Sequence, residues 1–236
     1  MKQRIWELDA FRGICLIGMV IVHFVYDLTV LYGIIQWEAP AGFVFVQQWG
    51  GVLFLLLSGI CVTLGSRSVR RGIIVIAAGM IVSAVTYGMY RFGFSGKSII
   101  IYFGVLHCLG VCMLLWACFR KLPWWALVTI GGAMVVVGMH FRELTVENPW
   151  LFPLGLTTEN FASSDYFPLL PNLGFFLLGA ALGRTVYGKK QTLLPMVNFQ
   201  NIFLRFLQWC GRQSLWIYLL HQPVLSGICT LITFCK

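Results

Sequence analysis

The sequence predicts an all-α, polytopic transmembrane helix bundle of about seven spans with a cytoplasmic N-terminus, and three observations carry that prediction. Of the 236 residues, 59% are hydrophobic and only 11% are charged, against about 45–50% and about 25% in an average soluble domain. So few charges cannot cover a surface that faces water. Long uncharged runs also recur along the chain, and roughly 20 apolar residues cross the hydrocarbon core as a helix. Finally, the basic residues collect in alternate loops. No long hydrophilic stretch separates the apolar runs, so residues 1–236 read as a single domain.

The spans are placed at 10–32, 43–65, 71–91, 98–119, 122–140, 171–187 and 210–233. The first follows a charged start and carries Arg12, His23 and Asp27, which reads as a retained helix and not as a cleavable signal peptide. The sixth is short, with Gly174, Gly179 and Gly183 suited to close helix packing. The loop before it, 141–170, is acidic and aromatic and runs into Asp165-Tyr166-Phe167-Pro168-Leu169-Leu170-Pro171. Two prolines three apart predict a fixed, non-helical approach to that span. The sequence contains no internal repeat or low-complexity tract.

Orientation follows from the cations. One set of loops holds Lys2, Arg4, Arg67, Arg70, Arg71, Arg120, Lys121, Arg184, Lys189, Lys190 and Arg205. The other holds Arg91, Lys97, Arg142 and Lys236 beside Glu38, Glu143, Glu147, Glu159 and Asp165. The first set belongs in the cytoplasm, and it accounts for the net charge of +9 without a nucleic-acid partner. The eight cysteines, mostly inside spans, have neither metal-site spacing nor an extracellular framework and read as small packing residues.

Ionisable groups inside a membrane are costly and propose a site. His23, His107 and His221 fall near the middle of predicted spans, whereas His140 lies at a helix end. Arg12 and His23 are eleven residues apart, which leaves only about 20° between them and separates them by roughly 16 Å along a helix. Asp27 lies one turn beyond His23 and Asp9 three residues before Arg12, giving a polar stripe Asp9, Arg12, His23, Asp27. A histidine near neutral pKa can act as general base with a carboxylate orienting it, and an arginine can hold an anion through paired hydrogen bonds. The same residues also fit a plain Arg12–Asp9 pair that ends the helix and a His23–Asp27 packing bond. On residues alone a small proton-coupled transporter, a haem or metal protein with histidine ligands, and a non-catalytic assembly partner also remain open.

The segment Leu8-Asp9-Ala10-Phe11-Arg12-Gly13-Ile14 followed by His23 resembles the signature of membrane acyltransferase family 3. Four further stretches extend the likeness: Phe54–Ile60 around Ser58, Gly104–Gly110 around His107, Asp165–Pro171 leading into Leu173–Gly179, and Gly211–Pro223. Together they resemble bacterial relatives of heparan-alpha-glucosaminide N-acetyltransferase, in the same broad group of transmembrane acyltransferases. The resemblance implies a bacterial inner-membrane enzyme that moves an acetyl group from cytoplasmic acetyl-coenzyme A (acyl-CoA) to a sugar or amino-sugar acceptor outside. It implies no metal. Under it, His23 is the base or a transient acyl carrier, Asp27 orients it, and Arg12 with Asp9 lies at the donor mouth. Ser58 would meet the thioester, His107 and His221 would line one cavity, and Asp165 with Tyr166 would form the acceptor side. Arg212, Ser214 and Gln222 complete the expected substrate contacts.

Overall fold

The computed structural model describes residues 5–93, 96–194 and 201–235; Lys2, Arg4 and Lys236 of the charge pattern lie outside them. The described residues form eight α-helices: α1 Trp6–Tyr26, α2 Ala41–Leu64, α3 Ser68–Arg91, α4 Val105–Phe119, α5 Trp124–Phe141, α6 Leu169–Val186, α7 Ile202–Arg212 and α8 Ser214–Phe234. Six of the predicted segments are long and apolar enough to cross a membrane (α1 with the turn that follows it, α2, α3, α5, α6 and α8). The fold class is therefore the predicted polytopic helix bundle. The fourth segment departs from expectation, because α4 has only 15 residues. Residues 100–103 are apolar but not helical: Ser164 N–H donates to the Ile100 carbonyl and Phe167 N–H to the Phe103 carbonyl. Hydropathy alone does not separate an apolar strand pairing from a helix.

The chain divides into two compact units, Met1–Phe54 with Lys190–Lys236, and Leu55–Lys189, the division falling inside α2. In the first unit α1 packs on α7 and α8. A Cβ added at Gly13 would fall on the Leu207 carbonyl, and one at Gly211 on the Asp9 carbonyl, so the backbones of α1 and α7 touch. Beyond Tyr26 the helix loosens into a π-helical turn, Asp27–Leu31, and it stops at Gly33, which takes the left-handed φ of 59°. The sequence reading missed α7. It treated 210–233 as one span, whereas the helix breaks at Gln213 into α7 and α8. α7 is short and amphipathic, with Arg205, Gln208 and Arg212 among its apolar residues, so a hydropathy window does not mark it.

In the second unit α5 packs on α6 and α3 on α4. The glycines expected to bring helices close do so. A Cβ at Gly179 would fall on the Leu56 carbonyl of α2, and one at Gly174 on the Gly131 carbonyl of α5. Leu170 is extended at φ −106°, ψ 128°, so the Pro168–Pro171 entry to α6 is non-helical, as the prolines predict. The loop 141–170 carries a 3-10 turn, Pro149–Leu154, whose first turn Asn148 caps by accepting from Trp150 N–H. At the other end of α6, Arg184 donates to the Leu122 and Arg120 carbonyls and lies 5.2 Å over the Trp116 ring.

Candidate active site

Each unit holds one cluster of predicted site residues. In the first unit the stripe on α1 is anchored differently at its two ends. Arg12 Nη1 pairs with Asp9 at 3.4 Å and donates to the Gly211 carbonyl at 3.3 Å. That is a brace between the start of α1 and the end of α7. Farther along, His23 Nδ1 lies 2.9 Å from the Met19 carbonyl. A carbonyl only accepts, so Nδ1 carries the proton and Nε2 presents its lone pair. His221 repeats the arrangement, with Nδ1 2.6 Å from the Tyr218 carbonyl. The two rings meet edge to face, 4.9 Å between centroids and 80° between planes.

Asp27 is completely buried. Both of its oxygens accept from the Gln222 amide, at 3.0 and 2.9 Å. The ring of His23 is thus held by a backbone carbonyl one turn earlier, while Asp27 is held by α8. Among the described residues two buried acceptors have no protein partner, His221 Nε2 and Gln222 Oε1. Unsatisfied buried groups are uncommon enough to require a reason. Here the reason for Gln222 is visible: its NH2 must face Asp27, which turns the carbonyl end away from any donor.

Arg212 and Ser214 lie at the α7–α8 elbow, about two helical turns before His221. Arg212 Nε donates to the Gln208 carbonyl, and Ser214 is the first residue of α8.

In the second unit His107 lies in the first turn of α4 and not mid-span, because α4 starts only at Val105. Its Nδ1 accepts from Gly104 N–H at 3.3 Å, and Nε2 lies 3.4 Å from Ser83 Oγ. Gly79 opposes the ring so closely that a Cβ there would lie 3.0 Å from Cε1. Asp165 Oδ2 accepts from Val105 N–H at 3.1 Å, capping the same helix start; a negative group suits a helix N-terminus. Tyr166 donates to the Phe152 carbonyl at 2.6 Å and packs on Phe161 at 4.9 Å. Burial pushes the Tyr166 phenol up to about 12, against a smaller opposite pull from Arg142. Ser58 is buried beside Gly59, whose absent Cβ would strike the Phe176 carbonyl of α6. Ser83, which no motif marked, is the residue that sequence reasoning missed. A serine inside α3 looks like any packing residue until its partner is known.

Family comparison decides the class. A model of the catalytic region of heparan-alpha-glucosaminide N-acetyltransferase matches residues 4–223. The chain belongs to this family. Comparisons with curated proteins and with solved structures give no match. Membership makes it a multi-pass membrane protein of an acetyltransferase family, one that uses acetyl-coenzyme A as donor in general and takes saccharide acceptors. Within the N-acetyltransferase region, the sequence-predicted residues sort into two groups. His23, Asp27, His221 and Gln222 converge in the first unit, and His107 and Asp165 share one helix start in the second.

Proposed function

We propose that the protein transfers the acetyl group of cytoplasmic acetyl-coenzyme A to a saccharide or amino-sugar acceptor on the extracytoplasmic side, with His23 as general base. The observation that carries this reading is the 2.9 Å contact of His23 Nδ1 with the Met19 carbonyl. With Nδ1–H on the Met19 carbonyl, the ring offers a basic Nε2 inside a membrane-spanning helix. In the transfer, the acceptor's N–H or O–H proton passes to Nε2, the acceptor heteroatom bonds the acetyl carbon, and the carbon–sulfur bond breaks. The proton then goes to the leaving sulfur, giving free coenzyme A. The Asp27 carboxylate steadies the imidazolium between those two moments.

The N-terminus faces the cytoplasm in this reading, supported by the cation-rich loops. Their field draws the phosphates of the donor. Arg12, committed to Asp9 and Gly211, acts there chiefly as a brace. Residues 1–236 work as one acyltransferase domain, supported by a family match that includes segments of both units.

The test is acetyl transfer from labelled acetyl-coenzyme A to a panel of sugars and amino sugars, with wild type and His23→Ala in detergent or nanodiscs. Wild type transfers label and His23→Ala does not, while both melt alike. An active His23→Ala protein sinks the mechanism. Binding is checked without an acceptor: acetyl-coenzyme A at about 100 times its dissociation constant stabilises the protein by about 2.7 kcal/mol, whereas ATP does not.

A further inference from the structure

We infer that Gln222 is the positioning residue of this site, holding the Asp27 carboxylate one helical turn beyond His23 without neutralising it. The inference rests on the acyl-transfer reading above and adds to it how α8 serves α1. Buried carboxylates are ordinarily paired with a cation. Asp27, completely buried, is held instead by a neutral amide that donates to both of its oxygens at 2.9 and 3.0 Å. A lysine or arginine at position 222 would give the same hold and cancel the charge permanently. The amide fixes the geometry and leaves the charge unspent.

A cation appears near Asp27 only when His23 takes a proton. Asp27 follows the last residue of α1, four residues beyond His23, so the imidazolium forms about one helical turn from a carboxylate already in place. The other titratable groups that α8 brings near this pair include His221, against the His23 ring, Tyr218, against the His221 ring, and Cys229, near Asp27. Tyr218 and Cys229 never carry a positive charge, and His221 lies against the His23 ring itself, so the two imidazoles cannot both take a proton without repulsion. The orphaned Gln222 Oε1 supports the assignment. The amide accepts a poor environment for its carbonyl in order to place Nε2 within hydrogen-bond distance of both Asp27 oxygens. A π-helical turn begins at Asp27 itself, and such turns recur at functional sites.

The decisive experiment exchanges the partners. Asp27→Asn with Gln222→Glu keeps an amide-to-carboxylate hydrogen bond but moves the carboxylate from the turn after α1 to α8. Purified full-length wild type, Asp27→Asn, Gln222→Met and the double variant are compared for Tm, kcat and the KM for acetyl-coenzyme A. Asp27→Asn and Gln222→Met are expected to lower kcat by about tenfold or more with KM within about twofold, the pattern of an interaction lost from the transition state. The double variant regains the lost Tm and keeps the low kcat. Recovery of kcat together with Tm overturns the inference, because only the hydrogen bond would then matter. If the double variant does not fold, Gln222→Met decides: wild-type kcat overturns the inference, and a reduced kcat at unchanged KM supports it. Failure of the wider reading looks different, since His23→Ala would then keep its activity whatever position 222 carries.

Discussion

The seam between α1 and α8 and the seams around α6 solve one problem in opposite ways. In lipid, apolar side chains gain little by turning from acyl chains to another helix, so something else must hold helices together. Along α6 the answer is contact between backbones. Gly174, Gly179 and Gly183 each face main-chain atoms of a neighbouring helix, with Gly59 of α2 and Gly131 of α5 answering from the other side. Along α8 the answer is a polar ladder. Gln222 meets Asp27, and four residues on, the Ser226 carbonyl accepts from Tyr32, whose hydroxyl also lies 3.3 Å from Thr230. A glycine seam tolerates no added atom. A polar ladder tolerates rearrangement, and the ladder is where His23 and His221 are. The first unit uses both devices, with backbone contact between α1 and α7 at Gly13 and Gly211 and the adaptable contacts on α8 beside the proposed chemistry.

The largest effect should come from breaking the glycine seam. In Gly179→Leu the new Cβ has only the Leu56 backbone in front of it, so α2 and α6 must separate. Overpacking against side chains already costs about 1–3 kcal/mol, and backbone cannot repack. We expect about 3 kcal/mol or more, read as loss of a monodisperse, cooperatively melting protein in detergent. A Gly179→Leu protein that melts like wild type would remove the backbone-contact half of the comparison.

A smaller effect is expected at Tyr166, where the second unit does use a side-chain hydrogen bond. Tyr166→Phe removes the donor to the Phe152 carbonyl and leaves the ring on Phe161, costing about 1 kcal/mol. The pH dependence has a definite sign. With the folded phenol raised from 10 to about 12, its contribution is complete below pH 10 and is lost as pH rises towards about 12. Melting curves of wild type and Tyr166→Phe should therefore converge across that window, and a constant gap would contradict the burial of the hydroxyl.

Hydropathy made the helices of both regions legible, and composition alone marked the glycines of α6 as a close-packing face. The polar stripe Asp9, Arg12, His23, Asp27 was legible as well, since rotation per residue fixes which side chains share a face. Partners were not legible. Nothing in the sequence says that Met19 supplies the carbonyl for His23, that Gln222 claims Asp27, or that Asp165 caps α4 at Val105. These depend on which helices meet. The start of α4 and the break at Gln213 escaped for different reasons: the apolar residues 100–103 read like part of a span although they are not helical, and α7 is short and interrupted by Arg205, Gln208 and Arg212, so it does not read as a span at all.

The smallest expected effect sharpens the other half of the comparison. Tyr32→Phe deletes the hydroxyl that bonds the Ser226 carbonyl at 3.2 Å and approaches Thr230 at 3.3 Å. Interhelical hydrogen bonds in membrane proteins average about 0.6 kcal/mol, because the freed groups find other partners. Thr230 already has one, donating to the Ser226 carbonyl at 2.8 Å, so that carbonyl stays satisfied when Tyr32 is lost. A drop of about 0.6 kcal/mol in the detergent unfolding free energy is expected, with the ladder closing over the gap. A loss several times larger would mean that the α1–α8 seam is as unforgiving as the glycine seam. In that case the adaptability assigned to the region around His23 would have no physical basis.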